Sequence, residues 1–443
     1  MDSAVSIVPV DLPAVIRGFA DRFHRQVAVT HHVASPLCAW LLLAICAGAA
    51  RGRARDELST LLGMDVGTAG HLAARLIEEP HDAVAPALAI WTQIETASDA
   101  FAGFLASLPP SVERGDRIPD APTLDEWITR RSRGLISRFP AGDPQANLLM
   151  ATVLATDVKW ATPFRIAQGS ELGRGDWGRS LQRVLRAKGS EFHACAIIRR
   201  GDVGDVAVHA AQATRDLAVV SVIAERGVPA ADVLRAAHEI ATTLPHGSGR
   251  VSLFDLPLGD GPCWSITERE IPSDIPGARE EGFTALLPAW TATNTHNLSN
   301  GALGFAEVAG AIADAAGLPL EGYGASQATT AHYSRLGFKA ASATVMGVFL
   351  GRPSLPSATG LERHATLRFS HPYAVVAVTR DDGWNRWDRD LARTVNGPWH
   401  GIPVFSAWVA EPMDAEEDVE QEDPSELDDL FDDEEEIEPR SGS

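Results

Sequence analysis

One short segment of the 443-residue sequence could carry nucleophilic chemistry. Gly324-Ala325-Ser326-Gln327-Ala328 approaches the G-x-S-x-G pattern, in which a sharp turn between a strand and a helix exposes a serine hydroxyl for acyl transfer. The segment ends in alanine, and no strand and helix patterns frame it. Because a motif without its structural context is a weak predictor, an esterase that acts through Ser326 is only a remote alternative.

Motifs for phosphate or metal binding are absent from the sequence. There is no GxxxxGK[ST] loop, no HExxH pattern and no clustered set of His and Cys. The four cysteines have no CxxC spacing and lie in apolar or loop contexts, which predicts reduced packing residues: Cys38, Cys46, Cys195 and Cys263. We therefore expect neither a cofactor nor a metal ion.

The negative charge is concentrated at the C-terminus. The formal net charge is −21, but residues 411–443 hold 17 of the 59 acidic residues and a single base, Arg440. The rest of the chain has 42 acids and 37 bases. This balance argues against a nucleic-acid partner, because phosphate neutralisation needs clustered Lys and Arg.

The composition predicts one domain, 1–412, followed by an acidic tail, 413–443. The tail is too charged and too poor in apolar residues to fold alone, so we predict that it is disordered. Leu427, Leu430 and Phe431 nevertheless have helical spacing, which would suit folding on a basic partner. No linker or internal repeat divides the chain before residue 411.

The N-terminus gives the expected location. It lacks a basic segment followed by an apolar stretch, so no secretory signal is predicted. The longest apolar run, Ala39 to Ala50, is too short to cross a bilayer. We therefore expect a cytoplasmic, monomeric protein with no membrane partner.

Helical patterns dominate the first third of the chain. Apolar residues from Leu12 to Val27 recur at spacings of three and four behind Asp11 and Pro13, and Ser35-Pro36 opens an apolar helix. Thr123 with Glu126 predicts a capping box for a helix that extends through Leu135 and Phe139.

Strand patterns follow the helices. Short runs rich in Val, Leu and Ala predict buried strands at Leu148 to Thr156, Leu217 to Ala224, Tyr373 to Val378 and Val404 to Val409. Because the helices and strands segregate, the pattern favours an α+β fold with mixed sheets over a doubly wound nucleotide-binding fold.

Five ordered segments together resemble the serpin family, and the whole has the look of a bacterial, even actinobacterial, member. They are Ser35-Pro36 with the helix that follows, Leu124 to Ile128, Asn147 to Phe164, Leu287 to Trp290, and the pair Phe369 to Tyr373 and Val404 to Pro412. The resemblance implies a serpin fold with an exposed reactive-centre loop. It also implies a serine protease inhibitor, not an enzyme, that acts as a suicide substrate.

In the family, the cleaved loop enters the main sheet as a new strand through a hinge of small residues. The residues that resemble this hinge are Gly337, Phe338, Lys339, Ala340, Ala341, Ser342, Ala343 and Thr344. Small side chains are needed because alternate residues of an inserting strand face the core. Phe338 departs from this requirement. If it blocks insertion, the cleaved and intact forms should melt together, and Phe338→Thr should restore the difference.

Counting from Gly337 by the family convention places the reactive bond at Gly351-Arg352, with Leu350-Gly351 as the alternative. Because Pro353 follows Arg352, a trypsin-like enzyme is disfavoured, and the expected target is an elastase-, subtilisin- or chymotrypsin-like protease. We further expect residues 338–366 to form an exposed arm on a mixed sheet of at least five strands with Leu148 to Thr156 at its centre.

The resemblance also assigns a polar cluster under the sheet and an aromatic region at its top. By position these comprise Ser35, His31, Thr152, Lys159, Trp160 and Gln327. Two departures concern the loop itself: Arg335 and Leu336 replace acidic residues, and the segment from Gly337 to Pro372 is lengthened. The alternative function is therefore a non-inhibitory serpin-fold binding or scaffold protein whose loop does not insert.

Overall fold

The computed structural model describes residues 11–27, 30–94, 98–140, 146–173, 175–243, 249–299, 302–338, 358–380 and 397–416. The hinge residues from Lys339 to Thr344 lie outside these ranges. So do the candidates for the reactive bond, Leu350, Gly351 and Arg352, and the tail beyond Glu416.

Helices and strands occupy most of these ranges. The helices are α1 (Leu12–Gln26), α2 (Pro36–Cys46), α3 (Gly52–Leu62), α4 (Val66–Glu78), α5 (Asp99–Ser107), α6 (Ala121–Arg131), α7 (Asp176–Ser180), α8 (Ala230–Thr243) and α9 (Phe305–Ala316). The strands are β1 (His32–Ala34), β2 (Ala85–Thr92), β3 (Glu113–Gly115), β4 (Leu148–Ala155), β5 (Val158–Lys159), β6 (Arg165–Gln168), β7 (Arg183–Lys188), β8 (His193–Arg200), β9 (Gly204–Ala213), β10 (Leu217–Ile223), β11 (Gly259–Asp260), β12 (Trp264–Ser273), β13 (Arg279–Leu287), β14 (Trp290–Asn297), β15 (Ser326–Tyr333), β16 (Gly337–Phe338), β17 (Ala358–Arg368), β18 (Tyr373–Thr379) and β19 (Pro403–Val409).

Two six-stranded sheets carry most of the strands. The first is antiparallel and has the order β1-β19-β18-β10-β9-β8. The second has the order β11-β12-β17-β13-β7-β6, and its β13–β17 pair is parallel. Smaller sheets join β3-β2-β4, β14-β15 and β16-β5. Segregated helices and mixed sheets confirm the α+β class.

The predicted first helices form for the expected reasons. The Asp11 side chain accepts a hydrogen bond from the Ala14 backbone N–H at 3.0 Å and caps α1. Ser35 caps α2 in the same way through the Cys38 N–H. Because α2 is apolar nearly all round, it packs between β4 and β19 in the centre of the molecule.

Helix α6 differs from its prediction at both ends. Asp120, not Thr123, is the cap, and its side chain accepts a hydrogen bond from the Thr123 N–H at 3.1 Å. The helix ends at Arg131, because the next turn contains the left-handed residues Arg133, with φ of 55°, and Gly134, with φ of 78°. The predicted capping box is therefore wrong.

The expected exposed arm is wrong at both of its described ends. Phe338 is buried in β16, and residues from Ala358 onward form β17 inside the second sheet. Within the described residues β4 is also an edge strand of a three-stranded sheet, not the centre of a five-stranded one. Sequence patterns locate strands, but the neighbours of a strand depend on residues far away in the chain.

The folded body extends beyond the predicted boundary at Pro412. The Met413 N–H donates to the Ala289 carbonyl at 2.7 Å, and the Ala415 N–H donates to the Arg183 carbonyl at 3.0 Å. Asp414 accepts hydrogen bonds from the backbone of Gln182 and Arg183 at 2.6 and 2.8 Å. The hydrogen bonds of the described residues therefore continue past Pro412 to Ala415, beside β7.

Candidate functional site

A tight turn after β15 reverses the chain and leads it into β16. Ser334 closes the turn, because its backbone N–H and its hydroxyl both donate to the Gly337 carbonyl at 3.1 Å. The next residues form β16, in which Gly337 pairs with Lys159 and Phe338 with Val158 in antiparallel register. Strand β16 therefore runs antiparallel to β5, which follows β4 directly in the chain.

Phe338 is already accommodated in the core. Its side chain is 5% exposed, and its ring lies 6.4 Å from that of Trp290 and 6.5 Å from that of Phe405. An inward-facing phenylalanine at this position would otherwise have to displace packed neighbours. Phe338 therefore already occupies a buried pocket, and the effect of its size on loop insertion stays a prediction.

Trp160, which directly follows β5, holds the turn between β15 and β16 in place. Its indole N–H donates to the Ser334 carbonyl at 2.9 Å, and its backbone N–H donates to the Leu336 carbonyl at 3.1 Å. The ring packs 5.0 Å from that of Tyr333 and is 3% exposed. Lys159 connects the same point to the first sheet, because its carbonyl accepts a hydrogen bond from the Thr214 N–H at 2.7 Å.

We call the region below β16, between β4 and β15, the slot. Among the described residues β4 pairs only with β2 and β15 only with β14. The two strands are held side by side by the N-terminal end of α2, which contacts Thr152 of β4 through Cys38 and Gln327 of β15 through Ser35. Each strand therefore presents an unpaired edge that can accept a further strand.

Ser35 and Gln327 form a buried polar pair under the slot. The Gln327 amide accepts a hydrogen bond from the Ser35 N–H at 3.0 Å and donates to the Ser35 carbonyl at 2.8 Å. The Ser35 hydroxyl donates to the Val404 carbonyl at 2.7 Å, and Thr329 donates to the Gln327 amide oxygen at 3.2 Å. This network ties α2 to β15 and β19.

Thr152 and His31 are placed differently from each other. Thr152 faces α2 and accepts a weak hydrogen bond from the Cys38 thiol at 3.7 Å. His31 lies away from the Ser35–Gln327 pair, where its imidazole bonds to the Thr291 carbonyl at 2.9 Å and to the Ala410 N–H at 3.2 Å. The structure thus does not bring His31 into the polar cluster to which it was assigned.

Two polar residues of β14 take the place expected for His31. The Asn294 side chain accepts a hydrogen bond from the Val33 N–H at 2.9 Å, and the His296 imidazole donates to the Val33 carbonyl at 2.7 Å. These two hydrogen bonds satisfy the backbone N–H and carbonyl of Val33 in β1. The alternation of polar and apolar residues in WTATNTHN is the signal that could have identified them.

Four buried histidines, one of them in β14, lie close together, and we call them the histidine cluster: His24, His32, His238 and His296. The imidazoles of His24 and His32 are 3.3 Å apart, and those of His24 and His238 have centroids 5.6 Å apart. Burial lowers the pKa of His32 to about 4 and that of His238 to about 3. Burial and the neighbouring histidines also lower the pKa of His24, so the cluster is neutral at pH 7.

The alternatives with catalytic or metal chemistry find no support in the described ranges. Ser326 is exposed at the start of β15, opposite Asn297, and not on a turn between a strand and a helix. No three His, Cys, Asp or Glu side chains in these ranges could hold a metal ion. The four cysteines are free and buried, and burial raises the pKa of each thiol to about 12.

Comparison with solved structures identifies the fold. The chain is similar to Serpin48 of the insect Tenebrio molitor, with 12% identity over 92% of this chain and 100% of that one and a TM-score of 0.57. It is similar to human thyroxine-binding globulin in complex with thyroxine, with 11% identity over 91% and 99% and a TM-score of 0.58. It is also similar to the thermophilic serpin tengpin in its latent state, with 12% identity over 93% and 100% and a TM-score of 0.58.

No protein-family description and no curated protein match the sequence itself. The structural similarity nevertheless covers almost the whole chain. The protein therefore has the serpin fold, as the five sequence segments indicated. Within the described residues, none of its helices is both long and apolar enough to cross a membrane.

Proposed function

We propose that the protein is a suicide inhibitor of serine proteases and that its segment 339–357 is the reactive-centre loop that the protease cleaves. The observation that carries the proposal is the β16–β5 pair. This pair places the last described residue before the segment next to β5, and among the described residues β4 and β15 each lack a second partner strand. The serpin fold supports this function.

The β16–β5 register predicts how the loop would enter. Each residue after Phe338 would meet one residue further back from Val158, so Ala341 would face Ala155, Thr344 would face Thr152, and Val348 would face Leu148. The side chains that share the inward face of Phe338 begin with three small residues, Ala340, Ser342 and Thr344. The added strand would gain backbone hydrogen bonds on both sides.

The chemistry belongs to the protease. Its serine Oγ attacks the carbonyl carbon before the scissile bond, the C–N bond breaks, and the serine proton passes through the protease histidine to the departing amine. An ester then joins the protease to the new C-terminus at Gly351 or Leu350. Insertion of the freed hinge separates this ester from the original docking site and distorts the protease before water can hydrolyse it.

The test is incubation with pancreatic elastase, subtilisin and chymotrypsin, followed by denaturing electrophoresis and thermal melts. We expect an SDS-stable complex with at least one enzyme, and a loop-cleaved form that melts well above the intact protein. The rise is expected because the inserted strand exists only after cleavage. Cleavage without a complex and without a rise in melting temperature would overturn the proposal.

The alternative, a binding protein whose loop does not insert, is favoured by a cavity of about 670 Å³ between α1 and α8. Arg17, Arg235 and His238 are among its lining residues, and neither imidazole nitrogen of His238 has a hydrogen-bond partner in the described structure. If the cleaved and intact forms melt together, a thermal-shift screen of small anionic and aromatic compounds becomes the deciding measurement.

Three remaining expectations are part of the proposal. The protein acts as a monomer in the cytoplasm, and the acidic segment after Glu416 provides solubility or binds a basic partner. A chain that ends at Glu416 and retains every partner in a pull-down would exclude the second role for that segment. Truncation at Glu416 is preferable to Pro412, because Met413–Ala415 belong to the folded body.

A further inference from the structure

We infer that the histidine cluster is an acid-sensitive latch at the junction of α1 and α8, two helices that pack against each other. The neutral imidazoles hold the junction closed, and their protonation releases it. The inference concerns the body of the protein and does not depend on the proposed function. It predicts that mild acid separates α1 from α8 before the rest of the fold opens.

The cluster joins two helices to two strands. His24 belongs to α1, His32 to β1, His238 to α8 and His296 to β14. The ring centroid of His24 lies 5.5 Å from that of His32 and 5.6 Å from that of His238. The rings of His32 and His296 are 5.8 Å apart. Protonation of neighbouring rings would therefore place like charges close together in a buried region, which is unfavourable.

Hydrogen bonds fix the protons of two of the rings. His32 Nδ1 lies 2.8 Å from the Thr30 carbonyl and must donate, so its Nε2 accepts from His24 Nδ1 at 3.3 Å. His24 Nε2 then accepts from the Ser406 hydroxyl at 2.7 Å. A proton added to either ring turns the Ser406 hydroxyl away from His24. Protonation of both rings opposes two N–H groups across 3.3 Å.

His238 is the ring on α8 that lies next to α1. It is 3% exposed, and neither of its nitrogens has a hydrogen-bond partner among the described residues. Burial and, to a smaller extent, the Arg17 guanidinium of α1 lower the pKa of His238 to about 3. Arg17 donates to the Thr242 hydroxyl of α8 at 2.7 Å, which keeps its charge at the junction. A protonated His238 would therefore be repelled by α1.

The nearby carboxylates already have arginine partners. Asp21 forms an ion pair with Arg25 at 2.7 Å, and Glu239 forms one with Arg200. They are thus poorly placed to neutralise a new charge on the cluster. Within the described residues, the charged and titratable side chains that face the cluster are Arg17 and Asp21 of α1, Arg235 and Glu239 of α8, Arg200 of β8 and His31 beside β1.

The cavity between α1 and α8 connects the cluster to the surface of the junction. His24 and His238 both line it, so both rings reach water when the helices separate. Each freed histidine regains a pKa of about 6.5 and raises the opening equilibrium about 30-fold between pH 7.5 and pH 5. Because the pKa values are depressed in the closed state, the junction is fully stable above about pH 6.5 and weakens as the pH falls.

The test is hydrogen exchange of the intact, full-length protein between pH 7.5 and pH 5, corrected for the intrinsic pH dependence of amide exchange. We expect the opening constants of amides in α1 and α8 to rise by about a hundredfold or more, because two histidines are freed. Amides of β17, which is paired on both sides, should stay protected over the same times. A rise below about tenfold, or exchange of both helices only together with β17, would overturn the latch.

A matched pair of variants assigns the effect to the cluster. His238→Phe removes one proton-binding group without losing a hydrogen bond, and the adjacent cavity leaves room for the ring. It should reduce the acid-induced rise by about 30-fold, whereas His71→Phe, at an exposed position of α4, should leave the rise unchanged. A folded His238→Phe with the full wild-type rise would contradict the latch. If His238→Phe does not fold, the wild-type measurement still decides.

Discussion

The two ends of the segment 339–357 are held in opposite ways. Before it, β16 is two residues long and, among the described strands, pairs with β5 alone. After it, β17 is eleven residues long and is paired on both sides. At the first end, backbone pairing could continue beyond β16. At the second end, the backbone of β17 is already hydrogen-bonded to a strand on each side. A cut between them would free the end that can move and leave the fixed end in place.

The strongest test of the extendable end is Thr344→Arg. In the inserted register Thr344 faces inward over Thr152, where a buried, unpaired guanidinium would cost several kcal/mol. We expect cleavage to produce little or no rise in melting temperature, and the variant to be cut as a substrate without forming a stable complex. Ala343→Arg is the control, because its side chain would face outward. An undiminished rise in Thr344→Arg would contradict the register.

The next effect concerns the anchor of β16. Phe338→Ala removes a ring packed among Trp290 and Phe405, and large-to-small changes of this kind in cores cost about 3–5 kcal/mol. Denaturant unfolding of the intact protein measures the loss, and Phe338→Leu should show a smaller one. From the sequence, Phe338→Thr helps insertion only if Phe338 is a steric block. An unchanged intact protein with an increased rise after cleavage in Phe338→Thr would reveal such a block.

Acid should lower the stability of both forms equally, because the histidine cluster touches neither end of the loop. The depressed pKa values mean that the unfolded chain binds protons below its pKa of about 6.5 while the folded chain does not. Stability is therefore fully present above that pH and is lost as pH falls toward 4. His32 and His238 together should account for about 2–3 kcal/mol between pH 7 and 5.5.

Unfolding experiments at both pH values on intact and cleaved protein check this prediction. His238→Phe should flatten the dependence, since it removes one buried titrating group near Arg17. A loss confined to the intact form would mean that the cluster acts on the loop and not on the body.

The smallest expected effect is that of Trp160→Phe. The change removes the hydrogen bond to the Ser334 carbonyl but keeps an aromatic ring beside Tyr333, so the intact protein should lose about 1 kcal/mol. Hydrogen exchange should show faster opening of the turn from Ser334 to Gly337, with β17 unaffected as an internal control. Equal acceleration of hydrogen exchange in the turn and in β17 would contradict the difference in how the two ends of the segment are held.

Local patterns were sufficient where neighbours in the chain determine the structure. The cap-and-proline starts of α1 and α2 and the strands β4, β10, β18 and β19 were predicted within a few residues. The structure also places Ser35 and Gln327 in one buried, hydrogen-bonded pair. The errors arose where a distant partner decides, as when His31 bonds to Thr291 and Ala410 and leaves the cluster to residues of β14.

The sequence by itself determined the α+β class, the apolar central helix and the small residues after Phe338. Only the tertiary structure decided that Phe338 has a pocket, that β4 and β15 each lack a second partner among the described strands, and that β12 and β13 enclose β17. The physical reason is the range of the forces involved. Helix caps and hydrophobic periods are satisfied within a few residues, whereas a strand edge is satisfied by whichever distant strand the packing brings to it.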